Sequence, residues 1–461
     1  MAMETECSTD GTSIIVGENT LLFAALKERM RRSPAIPPLP STCCIFKVPE
    51  VLRRHKPNAY EPDVVSIGPF HRGSDERFQL METVKQWYLD TLLTRMEISL
   101  DEFIVLLHKE GIIVEFEKRA RQFYAEPLDH DTESKFTEIM ILDGCFVIQL
   151  VRKIVDLHAR DAGDPIWNMD CMFQYVCHDL LLLENQLPWF VLSRLYDLIR
   201  KKLPGEHEPN FRVVLLFAFS EVKSLEQYLK PYRRARHHKV DDENVCHILD
   251  LIRTCIVLDF KEESEDEFGL DIPPATALSE AGVKFKKGDS ADNLLNIKFE
   301  NGVLTIPELA IGELTQPLFR NLIAFEQCYH GRSHQITSYA FFMDKLISSD
   351  KDIQLLSEEK ILANWLNVED GSKFFNSLYI DTTLKDFQYD KLCAEVNKYY
   401  QVKWNKYFEQ LRREYFSSPW KIIALTVGIL ILLVTLSQFL LSVLSSTLFT
   451  GIRVHELSAD M

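Results

Sequence analysis

Glycine is scarce in this chain, 17 in 461 residues, and none of it builds a G-x-x-x-x-G-K-[ST] phosphate loop or a G-x-S-x-G nucleophile elbow. Those absences remove the commonest footholds for nucleotide chemistry and acyl transfer. An excess of basic charge is missing too. With 52 Lys and Arg against 68 Asp and Glu, the formal charge is −16, which disfavours nucleic acid as the main partner because such a surface needs a basic stripe. The opening residues lack the basic n-region of a secretory signal and carry only a short apolar patch from Leu21 to Leu26. No N-x-S/T sequon occurs anywhere, as expected of a body that never meets the glycosylation machinery. Ten cysteines are scattered rather than paired, and Cys145, Cys255 and Cys328 sit inside apolar runs. That pattern predicts reduced, buried thiols and no disulfide framework.

What is present is concentrated at the C-terminal end. Ile422 to Leu444 reads IIALTVGILILLVTLSQFLLSVL, 23 residues without a charge. At about 1.5 Å per residue a helix of that length covers about 35 Å, enough for a hydrocarbon core of about 30 Å. The apolar run, marked by Ile422, Leu430, Leu433, Leu440 and Leu444, is therefore the expected membrane anchor. Lys403, Lys406, Arg412, Arg413 and Lys421 precede it, against Arg453 alone after it. A Lys/Arg excess near a span marks the cytosolic side, so the body is expected in the cytosol. Lys403, Trp404, Arg412, Arg413, Trp420 and Lys421 suit the interface, where aromatics sit at headgroup depth and basic groups meet anionic lipid.

Upstream, residues 1–42 read as a flexible N-terminal arm closed by the proline-rich RRSPAIPPLPS. A helical body follows over 43–417, then the anchor with its lead-in over 418–444 and a short tail over 445–461. Periodic apolar positions such as Met81, Val84, Tyr88 and Leu92 predict a helix, as do segments near 101–123, 133–157, 172–200, 211–229 and 243–259. The fold class is mainly α with minor β. One hairpin is expected near 294–306, where Asn301-Gly302 separates two β-compatible runs. The polar stretches 231–244 and 261–274 read as exposed loops, the second as a subdomain junction.

Few residues suggest chemistry. Glu184 in DLLLLENQLPWFVL and Glu326 in FRNLIAFEQCYH are carboxylates in apolar surroundings, where a raised pKa suits a general acid or base. The structural alternative has Pro188 opening a helix, with the Glu184-Asn185-Gln186 triplet capping the junction and pairing with a buried arginine. Cys171, Cys177 and His178, or Cys246, His247 and Cys255, carry ligand chemistry without the paired spacing that structural zinc needs. The basic run from Arg233 to Lys239 reads as a solvated loop.

The blocks IFKVPEVLRRHKPNAYEPDVVSIGPFHRG, MILDGCFVIQL, DLLLLENQLPWFVL, ATALSEAGVKFKKG, NIKFENGVLTIPELAI and FRNLIAFEQCYHG together resemble a plant family, Domain of Unknown Function 247, also called UPF0481. The resemblance runs from about Ile45 to Leu444. Pro273 and Ala277 depart from the expected Ser and acidic residue. The resemblance implies a mostly helical plant protein with a C-terminal anchor and no assigned activity, cofactor or functional residues. Some grass members are associated with self-incompatibility, which implies recognition at a membrane.

The expectation is thus a single-pass membrane protein acting in interaction or signalling. Its partners are the lipid bilayer and an unidentified protein. No enzyme activity, cofactor, metal or nucleic acid is expected. The alternatives are an enzyme using Glu184 or Glu326 with His178 or His71, and a scaffold self-associating through 399–416 as a homo-oligomer. Span length favours the plasma membrane over the endoplasmic reticulum.

Overall fold

The computed structural model describes residues 23–31, 39–72, 76–156, 160–203, 209–229, 244–258, 260, 271–289, 293–364, 366–402, 407, 410–411, 414 and 418–459. Residues 1–43 form one unit and 44–461 a second. In the first, residues 23–31 are an exposed helix, α1. Most of the 231–244 loop and residues 261–270 lie outside the described residues, so the expected junction there has no structural account.

Helices account for 62% of the chain, which makes the fold mainly α. The N-terminal half of the body comprises α2 (Glu50–Arg53), α3 (Gln79–Met96), α4 (Leu100–Lys109), α5 (Ile112–Arg119), α6 (His130–Ser134), α7 (Phe136–Val155), α8 (Asp170–Asp179), α9 (Trp189–Lys202) and α10 (Phe211–Ser220). A short turn, α11 (226–229), and α12 (Ile248–Val257) lead on. The C-terminal half holds α13 (Ala275–Glu280), α14 (Thr315–Cys328), α15 (Gln335–Leu346), α16 (Asp350–Glu358), α17 (Val368–Leu378) and α18 (Asp390–Tyr400). A terminal helix, Pro419–Ala459, closes the chain.

α7 is the axis of the first half. Its run LDGCFVIQLV is apolar on nearly every face, so it is wrapped by α3, α5, α9 and α10. Gly144 lets Leu195 of α9 pack closely on α7, because a Cβ there would lie 2.5 Å from Leu195 Cδ1. The long periodic segments break where local chemistry ends a helix. Glu97 adopts φ 56° after α3, the Ser99/Glu102 capping box starts α4, and Gly111 at φ 71° divides α4 from α5. Pro188 is the N-cap of α9, so the expected 172–200 helix is two helices joined by the Leu180–Leu187 turn.

The hairpin forms where the sequence places it. β2 (Lys298–Glu300) and β3 (Val303–Ile306) pair antiparallel around Asn301 and Gly302, whose φ values of 52° and 79° are those of a type I′ turn. The sheet is wider than one hairpin: β1 (Lys284–Lys287) adds in parallel to the other edge of β3, and a separate two-stranded sheet pairs β4 (Leu309–Ile311) in parallel with β5 (Leu362–Asn364). One continuous apolar core joins both halves of the body, from Cys44 to Val396.

Candidate functional site

The Glu184-Asn185-Gln186 triplet lies in the turn before α9, and all three side chains are buried. Glu184 accepts from the Val48 N–H at 2.5 Å, pairs with Arg53, and meets His71 Nε2 at 3.3 Å. Burial works to raise its pKa, but His71, the Val48 N–H and Arg53 outweigh it and hold the carboxyl below its ordinary value. Asn185 takes the Ile67 N–H at 2.6 Å and donates to Val65 O and Asp179 O. Gln186 donates to Leu180 O and Leu182 O and accepts from the Leu249 N–H. The triplet therefore holds backbone together rather than presenting a reactive group.

Other buried charges grip the same loop, Asp63–Arg72. Asp179 receives the N–H groups of Asp63, Val64 and Val65 at 2.8–2.9 Å. Burial pushes its carboxyl up to about 7 against those donors. Asp143 on α7 takes the Gly68 N–H at 2.8 Å and pairs with Arg72 at 2.9 Å and with fully buried Lys85 at 2.7 Å. Lys85 also donates to Ser66 O at 2.5 Å. Gly68 itself must be glycine: φ is +73°, and a Cβ would sit 2.7 Å from Gln186 O. Lys85, Asp143 and Asp179 were not singled out in the sequence. The available signal was the one that marked the triplet, a charge embedded in an apolar periodic run.

Glu326 is sealed in the same way. Arg253 donates to it at 2.8 Å, the Ile336 and Thr337 N–H groups at 3.0 and 2.9 Å, and the Thr337 hydroxyl at 2.8 Å. The two sequence-predicted carboxylates thus sit in separate networks, each saturated by donors. Among the described residues no cluster of three or more His, Cys, Asp or Glu side chains is placed to hold a metal ion. Cys177 and Cys255 are buried, and burial pushes both thiols up, that of Cys255 to about 12, while Cys171 is exposed. His178 bonds Ser224 at 2.7 Å, and His247 caps α12 by accepting the Asp250 N–H at 3.2 Å.

A cleft of about 670 Å³ opens between α8, the 223–228 segment, the β3–β4 turn and the start of α14. Its lining carries Glu226, Asp289, Glu308 and Glu313 against Lys223. Gln227 forms its inner wall, donating to Ala310 O at 3.0 Å and accepting the Ala310 N–H at 2.8 Å, as a neighbouring strand would. Cys171 also lines it, and so does Ser224, the partner of His178. No sequence motif pointed here, because its walls come from five separated segments.

The apolar C-terminal run is one continuous helix. Within Pro419–Val443 the mean hydropathy reaches 2.4 over 18 successive residues, none of them buried. Ile422, Leu430, Leu433 and Leu440 are all exposed, as are Trp420 and Lys421 at its start. Leu444 is helical, and the helix runs on to Ala459. Lys403, Trp404, Arg412 and Arg413 lie outside the described residues.

Residues 45–434 match the family described as plant protein of unknown function, DUF247. Two proteins of Arabidopsis thaliana are similar along most of their length. UPF0481 protein At3g47200 is 29% identical over 88% of this chain and 87% of its own. A second UPF0481 protein, At3g02645, is 22% identical over 88% of this chain and 91% of its own. No solved structure matches.

Proposed function

The chain belongs to the DUF247 family of plant proteins, and we propose that it is a single-pass membrane protein whose cytosolic body recognises a protein partner. One observation carries the anchor: the helix Pro419–Val443, whose mean hydropathy reaches 2.4 over 18 successive residues that the body leaves uncovered. A soluble core helix of that composition would be covered. In water each exposed Ile or Leu of the run would forgo about 1.5–3 kcal/mol of burial, and a bilayer restores it. The Lys/Arg excess before the helix supports a cytosolic body.

The cleft supports the recognition reading. It is concave, its inner wall is held by Gln227, and its rim charge favours a cationic segment of a partner. The buried carboxylates elsewhere are committed to backbone and arginine.

The test is a fusion tagged at the N-terminus, expressed in plant cells and followed through membrane fractionation. The protein should resist alkaline carbonate extraction, and external protease should remove the tag in vesicles with the cytosolic face outward. Release into the carbonate supernatant would end the anchor reading, and a protected tag would reverse the topology. Charge reversal of Glu308 and Glu313 to Lys should lower recovery of partners crosslinked to the body. Unchanged recovery would remove the cleft from the reading.

A further inference from the structure

Along the terminal helix the small and polar residues are not scattered. Ala424, Gly428, Thr435, Gln438 and Ser442 fall at alternating three- and four-residue steps with Ile431 among them, so they share one face across the span. The remaining faces are Ile, Leu, Val and Phe, apart from Thr426 and Ser437. Gly428 has nothing within 4 Å of where a Cβ would sit, and with Ala424, Leu425, Ile429 and Leu432 it lines a groove whose lining also includes Glu414 and Lys421.

Three hydroxyls of the span are already satisfied locally. Thr426 donates to Ile422 O and Ile423 O, Thr435 to Ile431 O and Leu432 O, and Ser437 to Val434 O. Gln438 differs. Its amide brings two N–H donors and a carbonyl acceptor midway between Lys421 and Arg453, the charges that bracket the run, and no hydrogen bond to it is found among the described residues. In hydrocarbon an unsatisfied amide is costly.

We infer that the terminal helix self-associates as a parallel pair along the Ala424–Gly428–Ile431–Thr435–Gln438–Ser442 face, with Gln438 amides bonding across the axis. This rests on the membrane-anchor reading. The amide's chemistry selects a second copy as the occupant. Chains inserted with the same topology place the same amide at the same depth, where each carbonyl meets the other's N–H. Gly428 and Ala424 let the backbones approach, and the 3.5-residue period sets a left-handed crossing.

The experiment uses the full chain reconstituted in phosphatidylcholine vesicles, with dimer fraction read by energy transfer between N-terminal labels across a range of protein-to-lipid ratios. Gln438→Leu should weaken dimerisation about fivefold, Gly428→Ile at least as much, and Gln438→Asn should restore most of it. Leu433→Ala, on another face, should leave it unchanged. A vesicle-bound chain that stays monomeric at every ratio overturns the pairing and leaves the anchor intact. Dimers indifferent to Gln438→Leu and Gly428→Ile overturn it as well, since another surface then holds them. A chain that floats free of the vesicles overturns the anchor reading and the pairing with it.

Discussion

At the level of single residues, the buried charges of this protein act as fasteners. Glu326 is the clearest case, because a guanidinium, two backbone N–H groups and a hydroxyl all converge on one carboxylate. Removing it strands Arg253, which is 2% exposed. Glu326→Ala should therefore cost about 3–5 kcal/mol, whereas Glu369→Ala, which breaks the exposed pair with Lys373, should leave stability nearly unchanged. Urea unfolding of the full chain in detergent measures both, and similar losses would contradict the distinction. Acid sensitivity has its own residues. Burial holds His178 and His247 at about 4, below the ordinary imidazole value, with the Asp250 charge raising His247 only in part. Between pH 6.5 and about 4 the unfolded chain takes up protons that these folded imidazoles refuse, so each loses its share of stability, up to roughly 3 kcal/mol, as pH falls through that window. Asp179, held up to about 7, runs the opposite way, its folded form taking up protons as pH falls towards 4. Comparing wild type with His247→Asn isolates the imidazole: the variant keeps a cap acceptor and should lose less stability between pH 7 and pH 5. An identical pH dependence would mean that His247 titrates normally in the fold.

Elements were legible where one local signal decides them. Asn301-Gly302 forecast the I′ hairpin, and Pro188 forecast the start of α9. The apolar period at Met81, Val84, Tyr88 and Leu92 gave α3. Illegible were the parallel strands, since β1 and β3, or β4 and β5, are three or four residues long and meet across intervening helices or turns with no shared motif. The pinned loop Asp63–Arg72 escaped for a related reason: its partners Asp143, Asp179 and Asn185 lie far along the chain. The sequence marked Glu184 and Glu326 as unusual, and only tertiary contacts separate a fastener from a catalyst. The hairpin offers a test at this scale. A Cβ at Gly302 would sit 2.6 Å from the Tyr399 ring, on a residue at φ 79°. Gly302→Ala should cost about 1–3 kcal/mol through strain and the displaced ring. Its signature in hydrogen exchange should be faster opening of β2, β3 and α18 while α7 stays protected, and uniform loosening would place the hairpin in the same cooperative unit as the core.

For the molecule as a whole, one chain combines a body whose buried carboxylates Asp143, Asp179, Glu184 and Glu326 are met by named partners with an apolar helix that the body leaves uncovered. The terminal helix is 41 residues long, about 60 Å, roughly twice a hydrocarbon core. No residue of Pro419–Val443 is buried, so the body's stability is expected not to depend on this stretch. That independence makes the proposed anchor separable by mutation. Arginine at the middle of a spanning helix costs about 2.5–3.5 kcal/mol per residue on insertion scales. The double variant Leu430→Arg, Leu433→Arg should leave carbonate-washed membranes for the supernatant, while the helical circular-dichroism signal and urea midpoint of its body match the wild type. Leu430→Ala, Leu433→Ala should stay in the membrane, because alanine removes apolar area without adding charge. If the arginine variant remained carbonate-resistant, the body or its lead-in would be the membrane-binding element. If instead the body unfolded with the charge change, the helix would be packed in solution against a surface of this chain or of another copy.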